Sequence, residues 1–198
     1  MDSPLLRRDD ADTMEDAPGR PARSLHRLGV HFSSASTEHY TPPAIIEAVI
    51  ACLGSIDLDP CSNSHHRPRV PARWHFTRED DGLGQPWEGR VFMNPPYGRV
   101  IDRWVDKLVN EYRAGRTTAA VALLPGRIDT RWFARLRDFP WCAVRGRLTF
   151  LGGANAAPFP STLHYLGPDA AAFVRSFRVF GDVWQRVISE DDEDARLF

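Results

Sequence analysis

Apolar residues along this chain fall into short blocks that switch between two periods. Ile45, Ile46, Val49, Ile50 and Leu53 recur at the spacing of one helix face, which predicts a helix over 44–52. Thr41-Pro42-Pro43 reads as its start, with Thr41 as N-cap and prolines in the first turn, and Gly54 as its stop. Trp104, Val105, Leu108 and Val109 make a second helical face over 101–113. The remaining blocks have strand length: 56–59, 74–77, 91–93, 118–124, 141–144, 147–150 and 163–166. In the first of these, alternation sets Ile56 and Leu58 on one face and Asp57 and Asp59 on the other. Thr130 and Asp169 stand where caps are expected, ahead of helices over 131–137 and up to Phe177. Strands alternating with helices indicate an α/β sheet.

The flanks lack such periodicity. Residues 1–30 mix Asp, Arg, Pro and Ala and are expected to form a disordered arm; 31–188 would hold the domain, and 189–198 a flexible acidic tail. At 42% hydrophobic and 26% charged residues, the composition is that of a soluble globular protein. The longest apolar stretch, 119–124, is too short for a bilayer, so no membrane partner is expected, and the first thirty residues lack a signal-peptide centre. Cys52, Cys61 and Cys142 form no CxxC pair, which suits a reducing cytoplasm. His65, His66 and His75 near Cys61 match no zinc spacing, and no metal is expected.

The net charge of −1 does not advertise nucleic acid, but the distribution changes that picture. All 25 basic residues except Lys107 are arginine, a bias for which a GC-rich genome is the bland cause. Arg127, Arg131, Arg135, Arg137, Arg145 and Arg147 nevertheless cluster, while acidic residues gather at 190–194. Such a run is often only a solvated face; Arg127, Arg131, Arg145 and Arg147 are the candidates for phosphate contacts.

The chemistry centres on Val91-Phe92-Met93-Asn94-Pro95-Pro96-Tyr97-Gly98. A buried strand runs into two prolines that can neither donate to a ladder nor continue a helix. Asn94 to Tyr97 would therefore sit at the carboxyl end of a strand, the edge where open α/β sheets bind ligands. The Asn94 side-chain oxygen and the Pro95 carbonyl, pointing the same way, could accept both hydrogens of an exocyclic amine and aim its lone pair at an electrophile. Tyr97 offers a face for a planar ring, and base stacking on an aromatic is worth about 1–3 kcal/mol. A proline-rich turn with a packed tyrosine is the competing reading, and the strand–turn–helix context favours chemistry. Asp57-Leu58-Asp59-Pro60 puts acidic residues at the end of a possible neighbouring strand, where Asp59 is either a turn former or an acceptor for a cofactor ammonium.

These blocks, taken in order, resemble the phage-type (Dam-like) DNA N6-adenine methyltransferases over roughly 36–166. The matching pieces are Glu38-His39-Tyr40-Thr41-Pro42, Asp57-Leu58-Asp59-Pro60, Asp81-Gly82-Leu83 with Trp87 and Gly89, Phe92 to Tyr97, Leu123-Leu124-Pro125, Gly146 to Phe150, and Pro158-Phe159-Pro160-Ser161. The resemblance implies a compact Rossmann-like sheet with helices on both faces and a minimal or absent target-recognition domain. It implies S-adenosylmethionine as cofactor, transfer to the N6 amino group of adenine in DNA, and a phage or prophage protein in a bacterial cytoplasm, of the kind met in restriction and modification. Asn94, Pro95, Pro96 and Tyr97 would be catalytic. Tyr40, Thr41, Pro42, Asp57, Asp59, Pro60 and Asp81, with Asn94, would bind cofactor: Thr41 at its carboxylate, Asp59 at its methionine end, Asp81 at its adenine amino group. No glycine-rich loop follows Asp59, and Glu79 and Asp80 are the candidates for the ribose. Other planar amines (cytosine N4, an RNA base, a protein glutamine) remain as alternative acceptors, as does a non-catalytic DNA-binding phage protein on the same fold.

Overall fold

The computed structural model of the chain describes residues 40–151 and 156–187. The expected arm and acidic tail lie outside the described residues. Seven strands form one sheet: β1 (Ile56–Asp59), β2 (Ala72–His75), β3 (Gly89–Met93), β4 (Thr117–Pro125), β5 (Trp141–Val144), β6 (Ser161–Leu166) and β7 (Gly181–Trp184). The helices are α1 (Pro43–Leu53), α2 (Ile101–Arg113), α3 (Arg131–Ala134) and α4 (Ala170–Phe177). Strand order is β2-β1-β3-β4-β6-β5-β7. The first four strands are parallel, β6 runs antiparallel between β4 and β5, and β7 pairs antiparallel with β5.

Inner strands buried on both faces read as continuous apolar runs, and their side chains are shared between two cores. On one face Phe92, Val121 and Leu123 pack with Ile45 and Val49 of α1 and Phe173 and Phe177 of α4. On the other, Val91, Met93, Ala122 and Leu124 pack with Trp104, Val105 and Leu108 of α2 and Trp132 and Phe133 of α3. The sheet is thus a Rossmann-like layer with helices on both faces. β1 departs from simple in–out alternation, because Ile56 joins the first core, Leu58 the second, and Asp59 is buried.

The chain leaves β1 towards β2 on one side and returns to β3 on the other, so the carboxyl ends of β1 and β3 flank a topological switch point. Asp57 ties these two strands together. Its carboxylate accepts the backbone N–H of Arg90 at 2.8 Å and the guanidinium Nε–H at 2.9 Å. Arg90 holds the Asp57 carboxyl below the usual carboxylate range. Gly89 makes room for this: its φ is 76°, and a Cβ there would lie 2.6 Å from an Asp57 carboxylate oxygen.

Four expectations shift. The strand expected at 74–77 begins two residues earlier, as β2. The helix from Arg131 is regular only to Ala134, after which Arg135, Leu136 and Arg137 make tighter bonds to residues three back. No strand forms at 147–150, because β6 and β7 occupy both edges of β5; Leu148 and Phe150 pack into the first core instead. β7 was not expected, and Gly181 permits it: a Cβ there would sit 1.9 Å from the Ala143 carbonyl oxygen.

Gly89→Ala combines a left-handed backbone with loss of the space under Asp57. It should cost roughly 2–4 kcal/mol of stability, measured by urea unfolding, with Gly115→Ala as control: its φ is also positive but no atom lies within 4 Å of its Cβ position.

Candidate active site

At the switch point lies a cleft of about 420 Å³, a size typical of small-molecule sites. Asp59, Pro60, Cys61, Ser62 and Asn63 from the end of β1 line one side, and Asn94, Pro95 and Pro96 from the end of β3 another. Tyr40 and Thr41, ahead of α1, and Asp81 and Gly82, from the turn before β3, complete much of the wall.

The sequence dictates each approach. Asp59 ends β1 because Pro60 cannot continue the ladder, and the Asp59 side chain accepts the Cys61 N–H at 3.1 Å in a local turn. The chain is held there by Phe76 N–H to the Asp59 carbonyl (2.9 Å) and Ser62 N–H to the Phe76 carbonyl (2.8 Å). Gly82 lets the next turn press onto Pro60, since a Cβ would lie 2.3 Å from the Pro60 carbonyl oxygen. Trp87, fully buried, donates from its indole to the Gly82 carbonyl at 2.7 Å and pins that turn from beneath. Asp81 is left exposed at the cleft with a left-handed φ of 49°. Two motifs twenty residues apart in sequence are thereby brought onto one wall.

Thr41 takes a different place from its expected one. Pro42, not Thr41, is the N-cap of α1, and no side chain caps it. The Thr41 hydroxyl, 5% exposed, instead accepts the Asn94 Nδ2–H at 3.0 Å. This bond orients the amide plane and joins α1 to the end of β3. Pro42 is not among the cleft residues.

Electrostatically the cleft carries one deeply buried acidic group, Asp59. Asp59 is only 4% exposed, and burial pushes its carboxyl up to about 7, against the hydrogen bonds from Cys61 and Ser62 that favour the charged form. Burial likewise pushes the Cys61 thiol up, with Asp59 adding to it. Asp57 stands apart from this group: its carboxylate is engaged by Arg90 and does not line the cleft. Asp80, considered for a ribose, accepts from the Thr77 N–H (2.6 Å) and hydroxyl (2.7 Å) and lies 2.7 Å from His65 Nε2. Glu79 is exposed outside the cleft lining.

Tyr97 follows Pro96 but is not among the cleft-lining residues. Its hydroxyl donates to the Leu123 carbonyl at 3.4 Å, and its ring meets Phe159 and Phe150 edge-on, at 5.4 and 6.4 Å. Arg127 and Arg131 follow β4, and Arg145 and Arg147 follow β5, so all four leave the sheet at the edge that carries Asn94. Arg145 is paired with Asp182 at 2.8 Å; Arg127, Arg131 and Arg147 are exposed and have no carboxylate partner among the described residues. Sequence reading missed Ser62, Asn63, Arg69, Thr77 and Arg78 as cleft residues. Arg69 lies in the basic, proline-rich run 67–73, where no local signal separates it from its neighbours. Among the described residues no group of three or more His, Cys, Asp or Glu is placed to hold a metal, and no helix is long and apolar enough to cross a membrane.

A protein-family model described as DNA N-6-adenine-methyltransferase (Dam) matches residues 33–161, from ahead of α1 to the first residue of β6. No curated protein matches the chain.

The Asp59 environment has a thermodynamic consequence. A carboxyl whose folded pKa lies above its unfolded value near 3.8 favours folding at low pH, and that contribution is lost as pH rises through about 7. Asp59→Asn should therefore raise the melting temperature of the free protein at pH 8, by an amount corresponding to at most about 4 kcal/mol, with a much smaller gain at pH 4.5. Thermal melts at both values measure the difference.

Proposed function

The chain belongs to the DNA N-6-adenine-methyltransferase family, and from that premise we propose that the cleft holds S-adenosylmethionine and presents it to a target adenine beside Asn94. The observation that carries this reading is the meeting of Asn94, Thr41 and Asp59 in one cleft at the β1–β3 switch point. The donor set suits the cofactor. A carboxylate held near neutrality by burial gains most from a cation, and the amino-acid end of the ligand brings an ammonium to Asp59. Asp81, exposed on the same wall, is an acceptor for the exocyclic amine of the cofactor's adenine.

When bound, S-adenosylmethionine supplies a methyl carbon already activated by its sulfonium. The protein's own part is orientation. Thr41 fixes the plane of the Asn94 amide, so its oxygen and the Pro95 carbonyl accept the two hydrogens of the substrate amine and keep its lone pair directed at the methyl carbon. Pro95 is buried and Pro96 exposed, so the pair is a rigid ledge rather than a hinge. The stacking partner for the base on this reading is Tyr97, which lies outside the cleft lining and is braced edge-on by Phe159. No covalent bond to the enzyme is needed.

For a duplex substrate the adenine must leave the stack, at a cost of a few kcal/mol. On this reading Arg127, Arg131 and Arg147, on the same sheet edge, hold the flanking phosphates, while Arg145 contributes less because Asp182 already partners it.

Labelled methyl transfer to unmethylated DNA, RNA and protein extract, with the modified residue identified, tests the reaction; N6-methyladenine in DNA is expected. Asn94→Ala should lower transfer by on the order of a thousandfold while cofactor affinity, read by calorimetry, stays within a few-fold. Undiminished transfer by that variant would remove Asn94 from the mechanism. Replacing Arg127, Arg131 and Arg147 together by alanine should weaken DNA binding and flatten its log–log salt dependence by about two to three units.

A further inference from the structure

Two cationic side chains occur among the described residues that line the cleft, Arg69 and Arg78, and they come from different connections of the chain. Arg78 belongs to the turn that carries Thr77 and Asp81. Arg69 comes from the connection between β1 and β2, and its guanidinium lies 5.0 Å above the ring of Tyr40, the neighbour of Thr41. Its backbone position is anchored by Val70, which is buried and whose carbonyl accepts from both Ala72 N–H (2.9 Å) and His75 Nε2 (2.9 Å). A guanidinium stacked on an aromatic ring loses little freedom when it forms a further bond, and its planar fork matches a carboxylate.

We propose that Arg69, braced by Tyr40, binds the α-carboxylate of the cofactor's amino-acid end. This inference rests on the cofactor reading above and adds to it the partner for the second charge of a zwitterion. Asp59 answers the ammonium; the carboxylate needs a cation on the Thr41 side, and Arg69 is the one that reaches the cleft there. The Thr41 hydroxyl, engaged with Asn94, is not by itself a match for a full negative charge. Tyr40 then acts as a platform that aims Arg69, not as a contact of the cofactor's adenine.

The test compares two ligands on the full chain by calorimetry: S-adenosylmethionine and its decarboxylated analogue, which lacks only the carboxylate. Arg69→Ala should weaken S-adenosylmethionine roughly ten- to a hundredfold and leave the analogue within about twofold. Arg69→Lys should recover part of the loss, and Tyr40→Leu should show the same selectivity in milder form. Equal weakening of both ligands by Arg69→Ala would mean that Arg69 only shapes its loop, and no weakening of either would mean that another group takes the carboxylate; both overturn the proposal. Wild-type protein that binds neither ligand would overturn the cofactor reading itself, an outcome distinct from the other two.

Discussion

The junction between β1 and β3 is the constraint on which the rest of the molecule depends. Both strands are short, and each delivers one residue of the proposed site: Asp59 from one end, Asn94 from the other. Asp57 and Arg90 clasp the pair from within, and Gly89 gives the clasp its space. A partly exposed ion pair of this kind contributes little stability by itself. Its importance is geometric, because a carboxylate that accepts both a backbone N–H and a guanidinium on the neighbouring strand fixes their relative height. Everything built on the carboxyl edge inherits that register.

Charge is distributed over the cleft in a way that fits a ligand carrying both signs. The Asp59 carboxylate is buried without a cation close enough to keep it in the ordinary acidic range, and burial of that kind is costly unless a partner arrives. The arginines that face the cleft are displaced from it, one braced on Tyr40 and one on the turn of Asp81. By contrast, the carboxylates of Asp57, Asp80 and Glu111 are satisfied within the fold: by Arg90, by Thr77 and His65, and by Lys107 and Arg116. Buried His164 is a different case again. Burial pushes it down to about 3, and Trp141 and Phe133 enclose its ring, so it behaves as a neutral core residue.

Some of this was legible in the chain and some was not. The helix at Ile101–Arg113, the caps at Thr130 and Asp169, and the strands around Val91 and Val121 follow from periodicity and local turn chemistry. Those signals act over a few residues, so they survive without knowledge of the fold. The strand expected at 147–150 failed because an alternating pattern reports burial, and burial does not supply a free sheet edge. β7 was overlooked for the converse reason: its pairing depends on a glycine fitting against Ala143, which no local pattern encodes.

The amino-acid sequence by itself determined the α/β class, the abrupt stop after Met93 and the chemical character of Asn94-Pro95-Pro96-Tyr97, since prolines and apolar runs act through the backbone wherever they occur. Only the tertiary structure decided which acidic residues are committed and which are available. Asp57 and Asp59 are two residues apart in one strand, yet one meets Arg90 and the other the cleft. The same holds for Thr41, whose hydroxyl meets Asn94 rather than capping the helix, and for Arg69, whose guanidinium lies over the Tyr40 ring. A side chain's neighbours across fifty residues are set by strand order and close packing, and those are properties of the assembled sheet.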